Sequence, residues 1–403
     1  MDRLVIHNKL HYFLALLTAF LLPTARLVPI VISLMFLNWL VEGDLINKLK
    51  RVFTNKWAML FISVYLVHLI GMFYTENNPN GWQNLEVKLS LLVFPLMILT
   101  RPFNQKQSNN IISALLTGSI AVSILLLGRA SLIYFETGEN HFFYSQLAAF
   151  LIHTSYLAMY FGFLIIWLIL GLFDIGKIKS NFSKPLNILV ILFLSVLIIL
   201  LSSKSGILIL LLTYFVSIIY YIFHFKKYMI GAIGLGLFIV SLFMASKVFP
   251  DSANRIKTAI VTVLENKKQN DSKESTGVRI LIWQAAESVF SRNLAFGVGT
   301  GDMADELLAE YDKRKFTGAL EHRLNAHNQF YQILIGFGLF GLIPFALSLL
   351  APLFNAFRQK DVLYIAFILI SIINFFPESM LETMAGAMFY GFFNSLLFFK
   401  EYE

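Results

Sequence analysis

An all-α integral membrane protein is the fold class this sequence predicts, and three observations predict it. Of 403 residues, 57 % are hydrophobic and only 14 % are charged, where an ordinary soluble domain carries about 25 % charged residues. The mean hydropathy is +0.70. The apolar residues also gather into runs that mostly approach the roughly 17–25 residues a helix needs to cross a bilayer, with short polar or basic connectors between them.

Twelve runs are read along the chain, at about 10–22, 27–41, 57–74, 86–99, 110–135, 150–173, 186–202, 206–223, 229–246, 328–354, 362–376 and 383–400. The first two are short and divided only by Pro23-Thr24-Ala25-Arg26. The amino end has a basic start and an apolar run but no small-residue cleavage site, so it reads as a retained anchor. Orientation follows from loop charge, because lysine and arginine accumulate on the cytoplasmic side. With the amino end inside, the inner segments hold 16 such residues: Arg3, Lys9, Lys48, Lys50, Arg51, Lys56, Arg101, Lys106, Lys177, Lys179, Lys184, Lys226, Lys227, Arg358, Lys360 and Lys400. The short outer loops hold 2, Arg26 and Lys204. Both termini are therefore expected in the cytoplasm. The long segment 246–327, between the ninth and tenth spans, is expected outside, which in a bacterium is the periplasm. No fixed-period repeat and no Pro/Gly-rich linker divides the chain, so residues 1–403 read as one polytopic membrane domain.

Composition excludes several function classes. The net charge of +8 is dispersed between apolar runs and forms no basic stripe interleaved with stacking aromatics, which argues against nucleic acid. The chain has no cysteine, so there is no disulfide framework, thiolate metal site or thiol nucleophile. Its 40 phenylalanines suit lipid-facing packing and interfacial anchoring.

Within the outer segment, Ser275 or Thr276 is placed to cap a helix running to about Phe290, where Ser291-Arg292-Asn293 stops it. A turn follows at Phe296-Gly297-Val298-Gly299-Thr300-Gly301, then a helix from about Asp302 to Lys315. Acid at the start of that helix and base at its end suit the helix dipole, so its charges need no functional reading. Asp302, Asp305 and Glu306 read as the solvated start of that helix rather than as a metal cluster. The spaced glycines follow no strand, so they are not a dinucleotide motif.

Ionisable groups inside spans cost roughly 2.5–3.5 kcal/mol each at a helix centre, so their placement is informative. Lys88 lies about one turn in from the outer end of its span, Arg129 near the outer end of the fifth, His153 at the outer start of the sixth and Lys204 at the outer turn between the seventh and eighth. Glu378 and Glu382 flank the outer turn before the last span. With Arg279 and His327, these map to one leaflet and predict a polar pocket at the outer face. Snorkelling of end-located side chains is the competing reading for Lys88, Arg129 and Lys204.

Arg279 stands in the first turn of its helix, where a cation opposes the dipole. An anionic ligand would reverse that penalty, since free N–H groups and the guanidinium converge on it. A salt bridge to Glu274 or Glu287 is the alternative. His327 precedes Asn328 and an apolar helix. An unperturbed imidazole titrates near about 6.5 and accepts a proton from a hydroxyl at neutral pH; a helix-end histidine bonded to backbone is the alternative. His322, His153 and His141 have nothing local that gives them a role.

Three elements in order carry a family resemblance over about 186–400. They are Ser203-Lys204-Ser205-Gly206 opening a span, Arg279-Ile280-Leu281-Ile282-Trp283 followed by Phe296-Gly297-Val298-Gly299, and His327-Asn328-Gln329-Phe330 before Gly336-Phe337-Gly338-Leu339-Phe340-Gly341. In these the chain resembles the O-antigen ligase and O-antigen polymerase superfamily of cell-envelope glycosyltransferases. The first half matches only in its pattern of spans. The resemblance implies a C-type glycosyltransferase (GT-C) fold in the bacterial inner membrane, acting at the periplasmic face without metal or other cofactor. The donor would be a glycan on undecaprenyl diphosphate and the acceptor lipid A-core or a growing glycan. By position, Arg279 would hold the diphosphate and His327 would be the general base. Lys204 stands where the family more often has arginine and offers a point charge instead of a bidentate fork; Arg129 or Lys88 would then share the load. Ligation and polymerisation differ only in the acceptor. Protein O-glycosylation fits less well, since no large outer domain follows the last span. A secondary transporter is the reading from another class, but its two similar halves meeting at the midplane are not seen here.

Overall fold

Short polar connectors decide where one helix stops and the next begins. The structure, a computed structural model, describes residues 3–143, 146–175, 178, 182–264 and 276–400. The helices up to residue 100 are α1 (Arg3–Leu21), α2 (Val28–Val41), α3 (Leu45–Thr54), α4 (Lys56–Gly71), α5 (Asn78–Lys88) and α6 (Ser90–Thr100). There follow α7 (Gln105–Thr137), α8 (Thr154–Leu172), α9 (Lys184–Leu200), α10 (Lys204–Phe225), α11 (Tyr228–Val248) and α12 (Pro250–Leu264). The last are α13 (Thr276–Arg292), α14 (Met303–Arg314), α15 (Thr317–Glu321), α16 (Gln329–Gln359), α17 (Val362–Phe375) and α18 (Met384–Phe398). Side-chain oxygens satisfy the free N–H groups at many starts: Asn55 for α4, Asn77 for α5, Ser203 for α10, Asn328 for α16, Asp361 for α17 and Thr383 for α18.

Among the described residues, 8 helical stretches are long and apolar enough to cross a membrane, or 9 if α2 and α3, bent by 110°, count as one span. Three further apolar helices are shorter: α9 with 17 residues, α17 with 14 and α18 with 15. At a 1.5 Å rise these reach roughly 21–26 Å, short of a hydrocarbon core of about 30 Å. Length therefore separates the twelve runs of the sequence from the 8 or 9 stretches that pass on their own. Within the segment 246–327, α13 and α14 fall where the sequence places them; α12 and α15 are additional. Ser275, Lys177 and Lys179 lie outside the described residues.

The chain forms two compact units. One comprises Met1–Thr18, Ala25–Ser108 and Val261–Glu403, the other Ala19–Thr24 and Asn109–Ile260. In the first, α6 packs on α18 and α4, α4 on α16, and α16 on α13 and α17. Phenylalanine pairs pack across this unit: Phe94–Phe392 between α6 and α18, Phe61–Phe398 between α4 and α18, Phe345–Phe375 between α16 and α17, and Phe367–Phe389 between α17 and α18. In the second unit, α8 packs on α9 and α10, and α10 on α11.

The feature that most shapes the first unit is a break inside α16. Gly338 has φ 56° and ψ −147°, outside the helical region. A break leaves N–H groups after it and carbonyls before it without helical partners, and in an apolar bundle these must be satisfied by protein. The loop after α13 supplies them. Leu339 N–H donates to Leu294 O at 2.9 Å and Phe340 N–H to Ala295 O at 3.0 Å. In return Val298 N–H donates to Ile335 O and Gly299 N–H to Gly336 O, both at 2.9 Å. Gly297 has φ 68°, and a Cβ there would sit 2.3 Å from Gly336 C and Phe337 N. The Phe-Gly-x-Gly and Gly-Phe-Gly segments are thus two sides of one backbone contact.

Gly297→Ala is expected to lower stability by roughly 1–3 kcal/mol, because it meets both a strained φ and a backbone wall. Gly128→Ala, whose Cβ would meet nothing within 4 Å, should hold or raise stability. Thermal unfolding of the two purified proteins in detergent checks the pair.

Candidate functional site

Residues four apart on a helix share a face, and Arg279 and Trp283 use theirs to reach two different segments. The opposite stripe of α13, including Val278, Leu281, Ile282, Ala285 and Val289, is buried. From the exposed edge, Arg279 Nη2 donates to Glu378 Oε1 at 3.0 Å, while Trp283 Nε1 donates to Ala326 O at 3.1 Å. The Trp283 ring also lies 6.3 Å from that of Tyr331. One helix therefore holds both the turn after α17 and the segment that carries His327.

His327 has φ 43°, and its N–H donates to Asn325 Oδ1 at 3.0 Å. That bend directs the chain into α16, whose first N–H groups, Phe330 and Tyr331, are accepted by Asn328 Oδ1. His327 Nδ1 lies 3.4 Å from Glu378 Oε2. A single carboxylate thus touches Arg279 with one oxygen and His327 with the other. Glu378 is nearly covered, its side chain 8 % exposed, while Arg279 and His327 keep 21 % and 17 %. The two groups the sequence singles out face a common, partly open place. The turn that carries Glu378 is itself bound to the start of α16: Asn328 N–H donates to Ser379 Oγ at 3.1 Å and Leu381 N–H to Gln329 Oε1 at 2.7 Å.

Glu378 is the residue whose role sequence reasoning missed. The reading offered Glu274 or Glu287 for Arg279; Glu274 lies outside the described residues, and the ion pair forms with Glu378, 99 positions away. An acidic group at the turn between two apolar helices, α17 and α18, was the available signal.

The other candidates are placed differently. Lys88, the last residue of α5, is fully buried and its Nζ lies 2.8 Å from Glu382 Oε2, so an anion would have to displace that carboxylate to reach it. Arg129 and Lys204 belong to the second unit. There the Arg129 guanidinium stacks 4.3 Å from the centroid of Phe150. Lys204 opens α10 behind the cap Ser203, whose hydroxyl accepts Gly206 N–H at 3.2 Å. His153 caps α8 through Ser155 N–H at 3.4 Å, and His322 is an exposed helix-end residue. The side chain of His141 lies outside the described residues. The second unit also holds an apolar cavity of about 570 Å³ between α9, α10 and α11, where Tyr214 and Ser195 hydroxyls meet at 2.7 Å.

Among the described residues, no group of three or more His, Asp or Glu is placed to hold a metal ion. Asp302 serves the fold. Its carboxylate accepts Thr75 Oγ1, Glu76 N–H and Asn77 N–H at 3.1, 2.9 and 2.7 Å, tying α14 to the connector before α5. Glu310 does the same between α13 and α14, accepting from Arg292 Nη1 at 2.8 Å and Arg314 Nε at 2.6 Å.

A protein-family model described as O-antigen ligase matches residues 189–346. The matched segment runs from α9 into α16 and includes Lys204, Arg279, the Phe-Gly-x-Gly loop, His327 and the Gly338 break; Glu378 and Lys88 lie outside it. No curated protein matches the chain.

The contact between the end of α13 and α14 carries a pH dependence. Burial would raise the Glu310 carboxyl, but hydrogen bonds from Arg292, Arg314 and Ser288 and the Arg292 charge outweigh it. Together they hold it at about 2, below the ordinary 4.5. A depressed carboxylate stabilises the fold fully above its unfolded value and loses that contribution as pH falls towards its folded value. Glu310→Gln should therefore lose roughly 1–3 kcal/mol at pH 7, and the deficit should shrink between pH 4.5 and 2. Thermal unfolding of both proteins across that range measures it.

Proposed function

Starting from the O-antigen ligase domain that this chain carries over residues 189–346, we propose that the protein transfers a glycan from undecaprenyl diphosphate to an acceptor hydroxyl on lipid A-core. The observation that carries this reading is the Glu378 carboxylate, which joins a guanidinium and an imidazole at one place. With Nδ1 of His327 given to Glu378, Nε2 is the nitrogen left for the acceptor. The acceptor oxygen attacks the anomeric carbon from the face opposite the diphosphate, and its proton passes to Nε2. The bond from the anomeric carbon to the phosphate oxygen breaks, the diphosphate departs with its electron pair, and configuration inverts.

Charge builds on that leaving group, and Arg279 is the cation placed to meet it. A unit charge pair at about 4 Å contributes roughly 4 kcal/mol at an effective dielectric near 20, and a positioned base adds about 10²–10⁴-fold. Arg279 has five donors, so it can keep Glu378 and still fork onto a phosphate. For Lys204 and Arg129 the diphosphate role rests on the resemblance alone. In this reading the three shorter apolar helices also cross the inner membrane, giving twelve spans of a GT-C fold with both termini cytoplasmic and the site periplasmic; the distribution of loop lysines and arginines supports that orientation.

The test is transfer by the purified protein from a polyprenyl-diphosphate glycan to lipid A-core, with chelator present. His327→Ala and Arg279→Ala should each lose at least about 100-fold in turnover while eluting and melting like the parent, and Glu378→Gln should fall by a smaller factor. Near-normal turnover in the first two would overturn the mechanism.

A further inference from the structure

Lys88 and Glu382 form an ion pair with almost no access to solvent: Lys88 is 0 % exposed and the Glu382 side chain 9 %. We propose that this pair is a positioning clasp, which fixes the turn carrying Glu378 and so sets the carboxylate against Arg279 and His327. Its chemical meaning rests on the function proposed above; its geometry does not.

The argument is one of converging constraints on a short turn. The 3₁₀ segment Met380–Glu382 and the residues before it join α17 to α18. From α16, Asn328 N–H reaches Ser379 Oγ and Gln329 Oε1 takes Leu381 N–H. From α18, the turn is pressed so closely that a Cβ on Gly386 would sit 2.0 Å from Met380 O. From α5, Lys88 Nζ holds Glu382 Oε2 at 2.8 Å and lies 3.4 Å from Asn84 Oδ1. Asn84 in turn donates to Thr300 O at 3.0 Å, in the loop that pairs with the α16 break. Lys88 thus adds, at the far end of the turn from the Arg279–Glu378 pair, a second charged contact, and it connects that turn to the backbone scaffold of the site. A buried pair of this kind contributes little net stability, yet losing one partner strands the other charge. Removal of either should therefore move the turn, and removal of both should move it no further, since the two share one contact.

The chain has no cysteine, so Ser379→Cys supplies a single reporter thiol at a position 2 % exposed. In that background, Lys88→Met and Glu382→Gln are each expected to raise the maleimide labelling rate at least about tenfold, and Lys88→Met with Glu382→Met to raise it no further than either. In the transfer assay, without the reporter, each single change should lower kcat with the donor KM unchanged, Lys88→Arg should retain activity, and the double change should lower kcat no further than either single one. Unchanged labelling in both single variants overturns the clasp. So does a rise in donor KM confined to Lys88→Met, which would make Lys88 a diphosphate ligand. If Lys88→Met yields no folded protein, Glu382→Gln and Lys88→Arg still decide the labelling and kinetic arms. Should the parent protein transfer no glycan, the functional reading falls while the labelling result still judges the clasp.

Discussion

Backbone groups released by a broken helix cannot turn to water inside an apolar bundle, and the first unit is organised around that constraint. Four reciprocal hydrogen bonds join Leu294, Ala295, Val298 and Gly299 to Ile335, Gly336, Leu339 and Phe340. They fasten the end of α13 to the middle of α16. Thr300 then reaches α4, its hydroxyl donating to His68 O at 2.5 Å, and Asp302 secures the connector before α5. The helix that bears Arg279 and the segment that bears His327 are consequently fixed to one frame before either makes a contact of its own.

On that frame a single acidic group does the bringing together. Without Glu378, a guanidinium in the first turn of α13 would stand against the dipole of its own helix. With it, the charge is balanced and the imidazole is oriented by the same residue. The arrangement gives a site in which one acidic group serves both neighbours.

Much of this was legible in the sequence. Apolar run length gave the class, the Thr276 and Asp302 neighbourhoods gave α13 and α14, and the expense of burying charge drew notice to Arg279, His327, Lys88, Glu378 and Glu382. What was not legible is long-range pairing. The Arg279–Glu378 contact spans 99 positions and Lys88–Glu382 spans 294, whereas the partners a sequence offers are those within a turn or two of helix. The glycines around 297 were similarly opaque, because the backbone that forbids a side chain there belongs to residues 336 and 337. Span count has a different limit: α9, α17 and α18 are mainly apolar, yet too short for length alone to assign.

A carboxylate answering to two unlike neighbours also has a consequence for substitution. Positions 279, 327 and 378 share one carboxylate, so the worth of a residue at one of them depends on what occupies the other two. Substitutions there are non-additive, as for any groups sharing one network. Exchange of the acid alone takes one contact from the guanidinium and one from the imidazole in a single step.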